Sequence, residues 1–215
     1  MTVRSILCFG DSNTHGTEPM RDMDDKNRMA PDERWPGRLA AELGAGWRVI
    51  EEGHPGRTTL HADLVEGPHK NGLAALPVAL ESHRPIDLVI LMLGTNDLKA
   101  QFMVRPADIA RSIDRLVNHI LASDSGPERA APKVLLIAPP PILETGCLAE
   151  MFTGGAEKSH SLGRLYGEVA ARHGLAFLDA GAVIRSSPVD GIHFDAGEHA
   201  KLCEAVTARV CALMG

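Results

Sequence analysis

The sequence predicts an α/β fold in which helices cover both faces of a five-stranded parallel sheet. Short apolar runs alternate along the chain with longer segments of helical periodicity, and turn-forming residues follow the apolar runs. One run, residues 87–93, is apolar almost throughout. A strand buried on both faces has that uniform character, and alternation of strands with helices calls for parallel pairing.

The first strand is predicted at residues 5–9, an apolar run that is too short for a helix and ends at Gly10. The polar segment 18–33 follows, and its acidic and basic residues interleave as in a solvated loop rather than a cation site. The next elements are a helix at 35–43, a strand at 47–51, a helix at 71–84 and the strand at 87–93.

The second half of the chain continues the alternation. A helix opens at Pro106 and extends to about residue 123, a strand covers 133–138, and a long connection, residues 139–155, begins with three prolines. A helix at 157–173, a strand at 176–179 and a helix at 196–213 complete the chain. Right-handed crossovers leave few topologies, of which a flavodoxin-like order is the natural one. Without repeats or linkers, a single domain over residues 1–215 is expected.

The composition argues against several classes of protein. A net charge of -6, with both signs mixed along the chain, disfavours nucleic acid or an anionic membrane as partner. No stretch approaches the length of a membrane span and the first residues lack the apolar run of a secretory signal, so we expect a cytoplasmic protein. Four cysteines without ligand spacing, and the lack of nucleotide-binding motifs, predict neither a metal nor a cofactor.

Polar residues follow the predicted strands at the sheet edge where open α/β proteins bind their ligands. Ser12 follows the first strand, Gly56 the second and Asn96 the third. Residues 190–193, with the sequence Asp-Gly-Ile-His, follow the fifth strand. Although these residues are far apart in sequence, the topology brings their loops to one rim.

The residue types at this rim are those of nucleophilic catalysis by serine. A serine needs a base to take its proton, and a histidine oriented by a carboxylate is the usual base. Ser12 is thus the candidate nucleophile, His193 the base and Asp190 its partner. The N–H groups of Ser12 and Gly56 and the amide of Asn96 are candidate donors to an oxyanion. Taken singly, each residue also fits a plain structural role, such as a turn or a helix cap.

The blocks that carry these residues resemble the four sequence blocks of the SGNH hydrolases, the GDSL-like esterase superfamily. They are Gly10-Asp11-Ser12-Asn13, the turn at Gly56, Gly94-Thr95-Asn96-Asp97 and Asp190-Gly191-Ile192-His193. Segments 6–12, 49–59 and 87–99 are similar to the bacterial arylesterase and acyltransferase branch. The resemblance implies a flavodoxin-like fold, no metal, a triad of Ser12, His193 and Asp190, and an oxyanion hole of Ser12, Gly56 and Asn96.

Two positions depart from the family pattern. Many members carry leucine after the serine, where this chain has Asn13, and we expect this change to alter the wall of the substrate pocket. Glu51 stands where asparagine is often found, although the arylesterase branch also uses Glu-Glu-Gly. Ile192 and Phe152 are expected to line the acyl pocket, with a place in the core or at an oligomer contact as the alternative for Phe152.

Residues and resemblance together predict a serine esterase that acts on short-chain acyl esters, aryl esters among them, through an acyl-enzyme. Acyl transfer to alcohols or peroxide is a related expectation. A carbohydrate O-acetylesterase is the alternative within the same chemistry, and a non-catalytic binding module on the same fold is the alternative outside it. The expected partner is a small-molecule ester. The resemblance also implies a homo-oligomer, with contacts expected on the connection 139–155.

Overall fold

Five parallel strands form one sheet in a computed structural model that describes residues 3–215; Met1 and Thr2, the first residues of the N-terminal segment considered above, lie outside the described residues. The strands are β1 (Arg4–Gly10), β2 (Trp47–Gly53), β3 (Leu88–Met92), β4 (Lys133–Ala138) and β5 (Ala176–Asp179). Their order is β2-β1-β3-β4-β5, and each neighbouring pair is parallel. The predicted flavodoxin-like order is confirmed.

The helices follow the predicted pattern except that a short helix beginning at Ser12 was predicted as a turn and that the helix at 157–173 is divided. Within residues 3–215 they are α1 (Ser12–His15), α2 (Trp35–Leu43), α3 (Gly72–His83), α4 (Pro106–Leu121), α5 (Gly155–Ser159), α6 (Leu162–His173) and α7 (Ala196–Met214). No helix in this part of the chain combines the length and the apolar character that crossing a bilayer demands.

The helix predicted at residues 157–173 is in fact two helices, because α5 ends at Ser159 before α6 begins. The Ser159 hydroxyl donates to the carbonyl of Ala156 at 2.6 Å and accepts the N–H of Ile142 at 3.1 Å. A serine that bonds locally in this way competes with the helical hydrogen bonds. The periodicity of the apolar residues carried no sign of this break.

Apolar side chains cover the sheet on both faces. Alternate residues of β1 divide between them: Leu7 and Phe9 pack in the layer with α3, α4 and α6, while Ile6 and Cys8 pack in the layer with α2 and α7. Every residue of β3 is buried, as its uniform apolar sequence predicts. The strand that precedes Ser12 therefore lies inside the molecule, and the polar residues after it are held at the rim.

Gly10 shows how closely the elements meet at this rim. A Cβ atom at Gly10 would lie 2.7 Å from the Cβ of Thr14 and 2.9 Å from the carbonyl oxygen of Met92. Only glycine fits this approach of α1 to the ends of β1 and β3. The turn that carries Ser12 is thereby packed directly on the sheet.

Candidate active site

Ser12 is the first residue of α1, which begins directly beyond β1. The carboxylate of Asp11 caps this short helix, because its Oδ1 accepts the N–H of Asn13 at 3.0 Å. Gly16, with a φ of 85°, ends the helix in the left-handed conformation. The Ser12 side chain is thus held on a tight turn at the carboxyl end of the sheet, where it was predicted.

Asp190 and His193 form a hydrogen-bonded pair in the loop after β5. The Nδ1 atom of His193 lies 2.6 Å from Oδ2 of Asp190, and both residues are buried. The other carboxylate oxygen accepts the N–H groups of Ile192 at 2.9 Å and His193 at 3.0 Å. The loop bends at Gly191, whose φ is 79°. The sequence predicted this bend and this pairing.

Met20 supplies a further hydrogen bond to the same carboxylate, and sequence reasoning missed it. Its N–H donates to Oδ2 of Asp190 at 2.7 Å. Burial alone raises the pKa of Asp190, but the hydrogen bonds from His193, Met20 and Ile192 outweigh it, so the pKa lies below its ordinary 3.8. Asp190 is therefore an ionised carboxylate beside the imidazole. A backbone N–H has no signature in the sequence, which explains the omission.

Asn13 joins the turn that carries Ser12 (residues 11–16, the serine turn) to the loop that carries Asp190 and His193 (residues 190–193, the histidine loop). Its amide nitrogen donates to the carbonyl oxygen of Ile192 at 3.1 Å, across 179 positions of sequence. The neighbours of Ser12 and His193 are thus in direct contact. Within residues 3–215 the two side chains themselves share no hydrogen bond. Such bonds often tighten only when substrate is present, and the pairing of Ser12 with His193 stays a prediction.

The Asn96 amide lies against the turn that contains Gly56. Its nitrogen donates to the carbonyl oxygen of Arg57 at 3.1 Å, which leaves the second amide hydrogen for another acceptor. Gly56 has a φ of 76°, a conformation that glycine adopts without strain. The structure therefore brings together the second and third loops that the sequence assigned to the oxyanion.

Asp97 fixes these two loops to each other, a role that the sequence analysis did not assign. Its buried carboxylate accepts the N–H of Thr59 at 2.9 Å, the hydroxyl of Thr59 at 2.5 Å and Nδ1 of His61 at 2.8 Å. The hydrogen bond to Asp97 raises the pKa of His61 despite partial burial. The sequence contained part of the evidence for this role. Asp97 directly follows Asn96 in a turn expected to be buried, and a buried carboxylate needs hydrogen-bond donors.

Replacing Asn96 with alanine is expected to reduce kcat for ester hydrolysis by about 10²- to 10³-fold, because one oxyanion donor is lost. Steady-state kinetics on an aryl acetate measures the effect. Asn118, an exposed residue of α4, provides the control, and its alanine variant should hydrolyse the ester at the wild-type rate. A wild-type kcat in the Asn96 variant would remove this residue from the oxyanion hole.

Phe152 and Ile192, the two predicted pocket residues, are both buried in the apolar layer that α4 and α6 cover. Phe152 is 2% exposed and Ile192 3% exposed. The alternative of a core position for Phe152 agrees with this placement. Contact of either side chain with substrate stays a prediction, as does the effect of Asn13 on the pocket wall.

Asp11 is a buried carboxylate next to the candidate nucleophile. Burial raises its pKa from 3.8 to about 6, against the lowering effects of the Asn13 N–H, His193 and Arg57. The group ionises more easily in the unfolded chain, so its charge opposes folding above about pH 6 and ceases to do so as the pH falls below 3.8.

We therefore expect Asp11→Asn to stabilise the protein by on the order of 1–3 kcal/mol at about pH 8, since asparagine keeps the cap without the charge. The gain should shrink as the pH is lowered from about 6 towards 4. Urea unfolding of both proteins at several pH values tests this. A variant that is less stable than the wild type at pH 8 would contradict the expectation.

The fold and these loops define the class of protein. A serine on a tight turn after the first strand, with an imidazole–carboxylate pair after the last, is the arrangement of serine hydrolases. The model of the GDSL-like Lipase/Acylhydrolase family matches residues 8–200 of this chain. The chain belongs to this family and is a serine ester hydrolase.

Solved structures are similar to the chain over its whole length. The native M. smegmatis aryl esterase is 44% identical, with 99% of this chain and 100% of that chain covered and a TM-score of 0.94. Est24, a carbohydrate acetylesterase from Sinorhizobium meliloti, is 42% identical, with 98% and 100% covered and a TM-score of 0.94. A search of curated proteins found no match.

Proposed function

We propose that this esterase hydrolyses short-chain acyl esters, aryl esters among them, through an acyl-enzyme on Ser12. The observation that carries the proposal is the buried pair of Asp190 and His193, joined to the serine turn by the hydrogen bond from Asn13 to Ile192. A carboxylate held ionised beside the imidazole favours the tautomer in which Nε2 is free to accept a proton.

The reaction follows from the roles of these groups. As Oγ of Ser12 attacks the ester carbonyl, His193 takes its proton, and the negative charge on the carbonyl oxygen is met by the N–H groups of Ser12 and Gly56 and the Asn96 amide. The bond to the leaving alcohol breaks, and His193 returns the proton to that alcohol. Water then attacks the acyl-enzyme while His193 takes a proton from it. The bond between the acyl carbon and Oγ breaks, His193 returns the proton to Oγ of Ser12, and the carboxylic acid is released.

Trapping with a serine-reactive phosphonate tests the proposal. We expect the protein to lose aryl acetate hydrolysis in step with labelling, and mass spectrometry to place the label on the peptide that contains Ser12. An alcohol or peroxide added during turnover should divert part of the acyl group to a new ester or peracid. Hydrolysis that continues in fully labelled protein would overturn the assignment of Ser12.

A carbohydrate O-acetylesterase is the second candidate. The M. smegmatis aryl esterase and the carbohydrate acetylesterase Est24 are almost equally similar to the chain, at 44% and 42% identity. A comparison of kcat/KM for an aryl acetate and for acetylated sugars distinguishes the two. Higher values on the sugar esters would favour the second candidate.

The other expectations from the sequence stay predictions. They are a homo-oligomer with contacts on the connection 139–155, the lack of nucleic-acid and membrane partners, and a cytoplasmic location. Size-exclusion chromatography with light scattering would measure the oligomeric state.

A further inference from the structure

Glu51, one of the two departures from the family pattern, binds two arginines from the segment 17–34, which we call the brace loop. The Glu51 carboxylate accepts two hydrogen bonds from Arg34, from Nε at 2.6 Å and from Nη2 at 3.0 Å. It accepts a third from Nη2 of Arg28 at 3.1 Å. Side-chain exposure is 21% for Glu51, 10% for Arg34 and 41% for Arg28. The two parallel hydrogen bonds from the Arg34 guanidinium to this partly buried carboxylate form a stronger and more directional ion pair than an exposed one.

Both arginines also hold the backbone around the serine turn. Arg34 donates through Nη1 to the carbonyl oxygen of Met29 at 2.9 Å, and the N–H of Met29 donates to Gly16 at 2.8 Å. Arg28 donates through Nε to the carbonyl oxygen of His15 at 2.8 Å. His15 is the last residue of α1, and Gly16 follows it. The C-terminal end of the helix that begins at Ser12 is therefore bonded to the brace loop.

The far part of the brace loop reaches the carboxylate of the candidate triad. The N–H of Met20 donates to Asp190 at 2.7 Å, and the Met20 carbonyl accepts from Sγ of Cys147 at 3.4 Å. The two arms of the loop are joined by the N–H of Glu18, which donates to the carbonyl oxygen of Asn27 at 3.1 Å. Hydrogen bonds and the backbone of the brace loop thus connect Glu51 to the serine turn on one side and to Asp190 on the other.

We propose that Glu51 is a positioning residue for the ester hydrolysis proposed above, on which this inference rests. By fixing Arg28 and Arg34, it holds the brace loop in the one arrangement that bonds both the serine turn and Asp190. Without it the loop loses these hydrogen bonds to β2, and the distance between Ser12 and the imidazole–carboxylate pair is no longer fixed from this side. A misplacement of about 1 Å can reduce a rate by about 10²-fold.

The test compares Glu51→Gln with Glu52→Gln. Glu52 is the next residue of β2, and its carboxylate lies 2.9 Å from Nε2 of His83 in α3. Its replacement therefore removes a partly exposed, hydrogen-bonded carboxylate on another side of the strand. For Glu51→Gln we expect kcat on an aryl acetate to fall about 10- to 100-fold, with KM changed much less. Glu52→Gln should keep the wild-type kcat.

The pH profile separates positioning from a general loss of stability. When the Met20 N–H leaves Asp190, the carboxylate loses one of the hydrogen bonds that lower its pKa. The acid limb of kcat/KM should therefore move to higher pH in Glu51→Gln. Other titratable groups also face the pair of Asp190 and His193. Asp11 and His199 face His193, and Cys147 faces Asp190. Neither variant changes these groups. Glu52→Gln should therefore retain the wild-type limb.

Phosphonate labelling distinguishes failure of this inference from failure of the proposed function. If the wild type is labelled at Ser12 and Glu51→Gln is labelled and turns over at the same rate, with the same pH profile, the inference is wrong. If the wild type is not labelled, the proposed mechanism is wrong. Should Glu51→Gln not fold, Arg28→Met replaces it, because Arg28 is more exposed and makes the bonds to both Glu51 and His15. Wild-type kcat in that folded variant would equally overturn the proposal.

Discussion

Replacement of Ser12 with alanine is expected to reduce kcat for aryl acetate hydrolysis on the order of 10⁴- to 10⁶-fold. Ser12 is 5% exposed and lies on a turn that Asp11 caps and Gly16 ends, so alanine fits without rearrangement. The loss is large because the covalent intermediate cannot form, and only the oxyanion donors and substrate binding remain.

The control for this variant is Ser161→Ala at the start of α6, where the side chain makes no capping hydrogen bond. Its kcat should equal that of the wild type. Circular dichroism and thermal melting should show both variants folded. Turnover by Ser12→Ala within tenfold of the wild type would contradict the acyl-enzyme mechanism, whatever the state of the rest of the site.

Asp190→Asn is expected to lower kcat by about 10⁴-fold. The native carboxylate accepts four hydrogen bonds, from the His193 ring and from the N–H groups of Met20, Ile192 and His193. An asparagine amide offers one oxygen and an NH₂ group, so whichever way it turns, at least one native donor faces another donor. With the NH₂ group towards the ring, Nδ1 must become the acceptor, and Nε2 then carries the proton and cannot serve as base.

Asp195→Asn serves as the matched control, because this carboxylate lies two residues beyond His193 and accepts only from the Ser187 hydroxyl among its side-chain partners in the described chain, at 3.1 Å. Its kcat should remain within a few-fold of the wild type. The Asp190 variant should still react slowly with the phosphonate if Ser12 is intact. Equal kcat in the Asp190 and Asp195 variants would show that the carboxylate does not orient His193.

The alternation of strands and helices could be predicted because buried positions carry apolar side chains, and their spacing differs between strands and helices. The uniform apolar sequence of β3 identified a central strand, and the residues after β1, β2 and β3 could then be placed at one rim. The pairing of Asp190 with His193 was predictable for a different reason: the two residues are three apart, with a glycine that permits the bend. A contact between residues this close in sequence can be inferred from the short segment that contains them.

The contributions of backbone groups and long-range ion pairs could not be predicted in the same way. The N–H of Met20 could have come from any residue of the polar loop, and only the folded chain decides which one meets Asp190. Glu51 was recognised as a departure from the family pattern, but its arginine partners lie 17 and 23 positions away in a loop without periodicity. At the break between α5 and α6 the Ser159 hydroxyl bonds both to Ala156 nearby and to the N–H of Ile142, and the second partner has no signal in the local sequence.

The strand order implies that the two halves of the candidate site differ in stiffness. β1 is hydrogen-bonded on both sides, to β2 and β3, so the serine turn rests on a support whose amide hydrogens exchange only when much of the sheet opens. Among residues 3–215, β5 is paired only with β4, and the histidine loop follows it. The movements that let an ester enter or an acid leave should accordingly be larger around His193. Ser12 should keep its position throughout the reaction.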